Sequence, residues 1–173
     1  MPDDKDQQLA ALLREYESGF LPYPVFEQIA RLIALPILEF IPLRKGATDI
    51  EVLLIARSAD DPFWPGLLHT PGTVIRADDI NEDHTANWPA FERIVKDELQ
   101  GTKTGSPHYA GSQLHKSKRG VEQAQIYWVE VVGQPAVGTF YPVNDLPAAL
   151  VDSQQSFIGL AVSSYRIWLD QQL

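Results

Sequence analysis

The sequence predicts an α/β (α+β) fold, a mixed β-sheet carrying helices on both faces. Three observations predict it. Runs rich in β-branched and aromatic residues, with strand spacing, occur at 37–43, 50–57, 121–132 and 138–143. Two amphipathic segments, 88–100 and 153–169, punctuate and close those runs. The order is helix, helix, strands, helix, strands, helix, with no regular βαβ alternation and no internal repeat.

Each element has a local reason. In 5–18, Leu9, Leu12, Leu13 and Tyr16 recur on one helical face, and Gly19 can stop the helix. A second helix, 24–34, follows Pro22 and Pro24 and ends before Pro36. Residues 1–35 thus read as a helical extension packed on a core domain of 36–173. The stretch PILEFIPLRKG reads as a strand and turn, with Lys45-Gly46 turning a hairpin between Ile37–Leu43 and Ile50–Arg57. Val74–Arg76 is a short strand, and 77–87 a polar loop. Pro89 suits the first turn of the 88–100 helix and Gly101 its exit. In 153–169, Phe157, Ala161, Tyr165 and Trp168 share a face.

Length and composition narrow the function. The 173 residues suit one domain. With no cysteine, disulfide scaffolds, thiol nucleophiles and cysteine metal sites are excluded. The net charge of −9 disfavours nonspecific nucleic-acid and anionic-membrane binding. No apolar run approaches the roughly 20 residues of a membrane span. The start, MPDDKDQQ, lacks a signal-like pattern, and a cytoplasmic protein is expected. Charge is uneven: no acid lies between Glu98 and Glu122, while Lys103, Lys116, Lys118 and Arg119 do. That basic stretch is either a phosphate-facing surface or a solvated hairpin.

At about 100° per residue, Trp88, Phe91, Val95 and Leu99 of the 88–100 helix project between about 300° and 20° and define its core face. Ile94, Asp97 and Glu98 then share an arc at about 240°, 180° and 280°, with Arg93 near about 140° and Glu92 at about 40°.

The ordered set EVLLIARSADDPFWPGLLHTPGTVIRADD, then AFERIVKDELQG, then FYPVNDLPAAL resembles the signature region of the Nudix hydrolase family across about 36–169. Pro71-Gly72 resembles its Pro-Gly-Gly turn, and Arg93 with Asp97-Glu98 its metal-binding helix. The family pattern is Gly, five residues, Glu, seven residues, Arg-Glu, two residues, Glu-Glu, one residue, Gly. Here Asp78 stands for the first Glu, and seven residues are inserted before Arg93. Ile94 replaces the glutamate after the arginine, Thr73 replaces a glycine, and Gly101 comes one position late.

The resemblance implies a Nudix-like α/β/α sandwich and metal-dependent attack of water on a nucleoside diphosphate linked to another group. It implies Arg93 and Glu98 as catalytic residues, and Asp97, Glu98 and Asp78 as ligands of Mg or Mn. Gly72, Trp64, His69, Lys116 and Arg119 would contact a small-molecule diphosphate. Three converging carboxylates become two here, so a second reading is an impaired Nudix-fold protein that binds a ligand or partner. A homodimer through the N-terminal helices is a third reading; membrane and nucleic-acid partners are not expected.

Several residues keep two readings. His69 can contact substrate or exchange a proton near neutral pH, or simply pack in its loop. Trp64 can stack on a ligand or pack as a lid. His84 has no helix-spaced partner. His108 and His115, seven apart, fall on opposite faces of a flat strand, which disfavours a two-histidine metal site. Phosphate-loop, dinucleotide and serine-elbow motifs are lacking.

Overall fold

The computed structural model describes residues 4–17, 19–79 and 88–172, with the backbone alone at Trp88. His84 and most of the 77–87 loop lie outside the described residues. The elements are α1 (Asp4–Leu13), α2 (Tyr23–Leu32), β1 (Leu35–Lys45), β2 (Ile50–Ala56), β3 (Leu68–His69) and β4 (Gly72–Val74). Then come α3 (Trp88–Arg93), a π-helical turn (Ile94–Glu98), β5 (His108–Lys116), β6 (Val121–Glu130), β7 (Thr139–Pro142) and α4 (Gln154–Asp170).

The strands form one mixed sheet in the order β3-β2-β1-β6-β5, with β4 beside β1 and β7 beside β2. The expected β1–β2 hairpin is present, pairing Leu43 with Val52 and Lys45 with Ile50. β1 and β6 run parallel from Leu35↔Glu122 to Leu43↔Glu130, and the other strand pairs are antiparallel. β1 is central and apolar on both sides. Ile37, Ile41 and Leu43 join Phe157, Ala161 and Tyr165 of α4 on one face. Leu38 and Phe40 join Ala90, Phe91, Ile94 and Leu99 on the other. These layers make an α/β/α sandwich. Each of the Leu, Ile and Phe side chains among them contributes about 1.5–3 kcal/mol on burial.

The helix between the sheet halves departs from the expected register. The Leu99 N–H donates to the Ile94 carbonyl, an i→i+5 bond at 3.0 Å, so the turn holds one residue more than an α-turn. The reason lies in the core. Ala90, Phe91 and Ile94 project at about 200–300° and set the buried face. In an unbroken α-helix Leu99, at about 20°, would miss it; an extra residue turns Leu99 back by about 100°. Leu99 and Ile94 are accordingly buried. Ile94 therefore does not share an exposed arc with Asp97 and Glu98; it is core.

β5 occupies much of the basic stretch. Its register against β6 shifts between Tyr109 and Gly111, a bulge that adds one residue. The shift reverses side-chain parity, so both histidines meet α4 side chains. His108 packs against Trp168 and stacks on Trp128 at 4.0 Å, while His115 meets Phe157 edge-on. The expectation of opposite faces fails because it assumed an unbroken strand.

At the N-terminus, α2 buries Ala30 and packs Phe26 on the α4-side core, whereas α1 buries no side chain. No helix among the described residues is long and apolar enough to cross a membrane.

Candidate functional site

Gly72 is the pivot of the site. It pairs with Glu39 across the β1–β4 ladder. A Cβ built on it would lie 2.9 Å from Glu39 Oε2 and 3.1 Å from the Leu38 carbonyl oxygen, so glycine is needed for close approach. Its N–H donates to Glu98 Oε2 at 3.1 Å. Two carboxyl groups thus meet one glycine.

Glu39 interrupts the apolar run of β1 and is buried. Its Oε2 accepts from Thr70 Oγ1 and Gln154 Nε2, each at 3.3 Å. The Thr70 N–H donates to Gln154 Oε1 at 3.1 Å, and its single hydroxyl proton is shared between Gln154 Oε1 and Glu39 Oε2. Burial pushes the Glu39 carboxyl up to about 8, against the Gln154 hydrogen bond and Arg119, with Glu98 and Glu122 adding to the rise. Burial likewise pushes Glu98 up to about 7, although the Gly72 N–H favours its charged form.

The loop after β2 supplies the cations and the indole. Arg57 Nε donates to Asp61 Oδ2 at 2.8 Å, and Asp61 Oδ1 accepts the N–H groups of Phe63 and Trp64. From the β5–β6 hairpin, Arg119 Nε donates to Glu122 Oε1 at 2.7 Å, beside a Ser117 hydroxyl bond to the same oxygen. The Arg57 and Arg119 guanidinium carbons lie 5.2 and 5.3 Å from the Trp64 ring centroid. Trp64 is largely buried under these contacts.

His69 ends β3. Arg57 Nη1 lies 3.4 Å from its Nδ1, and the ring also has a hydrogen bond with the Thr70 backbone. Burial, and then the Arg57 charge, push the imidazole down to about 4. That shift favours the neutral imidazole at pH 7.

Two hollows result. A chamber of about 50 Å³ is lined by Glu39, Arg57, Trp64, His69, Gln154 and Arg119 among others, with Gly72 in its wall. A cleft of about 370 Å³ is lined by Arg57, Asp61, His69, Asp97, Glu98 and Gln100. Arg57 and His69 line both. Sequence-predicted residues therefore converge in two sets: Gly72, Trp64, His69 and Arg119 at the chamber, and Asp97 and Glu98 with His69 at the cleft. Lys116 is exposed at the end of β5 and lines neither.

Arg93 and Asp78 are placed elsewhere. Arg93 Nη2 donates to Asp79 Oδ2 at 2.8 Å, with Nη1 on Oδ1, and also reaches Thr73 Oγ1 and the Val74 carbonyl. Burial raises the Asp79 carboxyl, but the Arg93 bonds outweigh it and hold the group below the usual range. Arg93 clamps the loop after β4 to the helix. Asp78 points to the N-terminal segment, where a Cβ on Gly19 would meet its Oδ2 at 3.1 Å.

These residues do not fit the expected Mg or Mn. Hard divalent ions need several converging oxygen ligands, and Glu98 is engaged by Gly72 while Asp78 lies off the cleft. Among the described residues no group of three or more His, Cys, Asp or Glu side chains is placed to hold a metal ion.

Glu39, Arg57, Thr70, Asp79, Glu122 and Gln154 escaped the sequence reading. Glu39 carried a signal: a carboxylate amid seven apolar neighbours in PILEFIPL, where burial of charge is costly. The others become functional only through tertiary contacts.

No family model matches the sequence, and no curated protein does. Solved structures do resemble the fold. Ap4A hydrolase of C. elegans superposes with a TM-score of 0.57 at 16% identity, over 79% of this chain and 99% of that one. The NUDIX domain of Shewanella oneidensis NrtR, complexed with ADP ribose, gives 0.55 at 16% identity, over 96% and 99%. The MutT NUDIX hydrolase from Burkholderia pseudomallei gives 0.53 at 18%, over 74% and 98%. At such identities the likeness carries the architecture, and the architecture of this chain is the Nudix fold.

Proposed function

We propose that the chain uses the Nudix fold to bind a small molecule bearing a diphosphate, without the metal-dependent hydrolysis that the sequence pattern implies. The carrying observation is Glu98. It is the motif carboxylate nearest the glycine turn, and its Oε2 accepts the Gly72 N–H at 3.1 Å. Asp97, its neighbour, is exposed at the cleft. Neither Arg93 nor Asp78 completes a metal set. The binding side of the reading is supported by Arg57 and Arg119, whose planar guanidinium groups match phosphate oxygens. In this reading Gly72, Trp64 and His69 shape the pocket, Arg57 and Arg119 attract the ligand, and Arg93 and Glu98 hold the scaffold. The ADP ribose of the similar NrtR domain makes it a sensible first ligand to try.

The test is calorimetry with ADP-ribose and nucleoside diphosphates, in EDTA and in Mg²⁺ or Mn²⁺, beside a phosphate-release assay on the same samples. Binding that survives EDTA, with no phosphate released, is the expected result. Arg119→Ala should weaken binding at least tenfold, roughly 1.4 kcal/mol, while Lys116→Ala should leave it unchanged. Turnover that requires metal would restore the hydrolase reading.

A further inference from the structure

The buried polarity of the described residues is concentrated in one place. Seven polar or charged residues are buried: Glu39, His69, Thr70, Asp79, Thr102, Glu122 and Gln154. Five of them line the chamber under Trp64; Asp79 and Thr102 do not. Burying such groups costs free energy unless they are paired, and one of them keeps an unpaired atom. Glu39 Oε1 has no partner among the described residues, both bonds falling on Oε2. His69 is held by Arg57 at its Nδ1 and by a hydrogen bond with the Thr70 backbone.

Resting on the ligand-binding reading above, we propose that this chamber is the subsite for one phosphate group of the ligand, gripped by the Glu39 carboxyl and the Arg57 and Arg119 guanidinium groups. Size agrees. At roughly 10–15 Å³ for each water-sized sphere, about 50 Å³ holds three to five of them. A tetrahedral oxyanion fits that space and a nucleobase does not. Chemistry agrees as well, because the free Glu39 oxygen is a donor when it carries the carboxyl proton.

Charge makes Glu39 decisive. Arg57 is balanced by Asp61 and Arg119 by Glu122, and His69 is neutral. With Glu39 protonated the chamber is about neutral and rich in donors. With Glu39 ionised it gains a negative charge and an acceptor, and it repels an anion. The groups facing Glu39 are Gln154 from α4, Glu98 from the π-helical turn, Glu122 from β6 and Arg119 from the β5–β6 hairpin, with Thr70 beside it. Glu39 holds its proton up to about pH 8. Oxyanion binding and Glu39 protonation are therefore linked.

Sulfate serves as the probe, since its charge is constant from pH 6.5 to 9. Calorimetry on the full chain, at fixed ionic strength with chloride as control, should show sulfate affinity falling about tenfold between pH 7 and pH 9. At pH 8, in two buffers of different ionisation enthalpy, binding should take up roughly half a proton. Glu39→Gln keeps an uncharged donor, so it should bind sulfate with a much shallower pH profile, only the ionisation of Glu98, raised to about 7, remaining. ADP-ribose binding should show the same pH slope in the parent and lose most of it in the variant. The proton uptake is read on the unaltered chain, so a misfolded variant does not remove the test. Sulfate binding without proton uptake would overturn the subsite. So would an equal pH slope in a folded Glu39→Gln variant. If ADP-ribose binds while sulfate does not, the subsite falls and the ligand-binding reading stands. If neither ADP-ribose nor any other diphosphate binds, that reading falls too.

Discussion

Ile94→Glu separates the two registers of the helix. In an α-helical count the new carboxylate would join Asp97 and Glu98 at the cleft and create a third metal ligand. In the structure Ile94 is 1% exposed, among Leu38, Phe40, Leu53, Phe91 and Leu99. A glutamate there finds no cation and must stay protonated. Holding a carboxyl neutral at pH 7.5, three units above its usual value, costs about 4 kcal/mol. Loss of the apolar side chain adds roughly 1–2 kcal/mol. Against a typical stability of about 5–15 kcal/mol, the variant should melt about 10–20 °C lower. The penalty should shrink toward pH 5, because the unfolded chain then keeps the proton as well. Ile94→Met, similar in volume, should cost less than about 1.5 kcal/mol. Urea unfolding followed by tryptophan fluorescence, with and without Mg²⁺ or Mn²⁺, reads all of this. A folded Ile94→Glu whose melting temperature rises with metal more than the parent's would refute the π-helical register.

Asp79→Ala removes the carboxylate that Arg93 grips and should cost about 3 kcal/mol in urea unfolding, the low end for a broken buried pair because Arg93 is partly exposed. Asp78→Ala should stay within about 0.5 kcal/mol, and equal losses would show that the arginine's partner is misassigned. The folded-state values of Glu39 and Glu98 are raised, so the folded chain holds protons that the unfolded chain releases. Stability should therefore fall as pH rises from about 4.5 to about 8 and level off above, His69 offsetting part of the fall below about pH 6.5, with Glu39 contributing on the order of 4–5 kcal/mol; Glu39→Gln should make the fall shallower, and a curve rising across that window would contradict the burial of both groups. The exposed Leu9, Leu12 and Leu13 of α1 predict self-association through the N-terminal helices, and a monomer in sedimentation equilibrium at high concentration would refute it.

The sandwich was legible because its signals are local. Alternating apolar residues mark β1, β2 and β6, and Phe157, Ala161 and Tyr165 mark α4 whatever else the chain does. β5 was harder to read. Its residues are polar and small, and the bulge at Ala110 breaks the alternation that a strand reading relies on. The site was legible only in part. Gly72, Trp64, His69 and Arg119 stand out by type and by neighbouring motifs. Gln154 and Glu122 gain meaning only when α4 and β6 bring them to Glu39 and Arg119, 115 residues apart in the case of Gln154 and Glu39. Asp79 was missed in favour of Asp78 because counting from Gly72 fixes a position in sequence, whereas Arg93 selects its partner in space.

One extra residue connects the observations on the helix. Counted from Arg93, the acidic pair is Asp97-Glu98; counted back from Gly101, it is Glu98-Leu99. The two counts differ by one, and the π-helical turn between Ile94 and Glu98 is where that residue is accommodated. Core packing chose the outcome. Leu99 is 0% exposed, and turning it inward rotates the whole helix end, so Asp97 swings toward solvent and Glu98 toward Gly72. The Gly101 N–H closes the turn on the Val95 carbonyl at 2.9 Å, with Gln100 and Gly101 both at positive φ. The departure from the family pattern is therefore a change of helical register as much as a loss of one carboxylate. Adding acid at a single position cannot undo it while Leu99 keeps its place in the core.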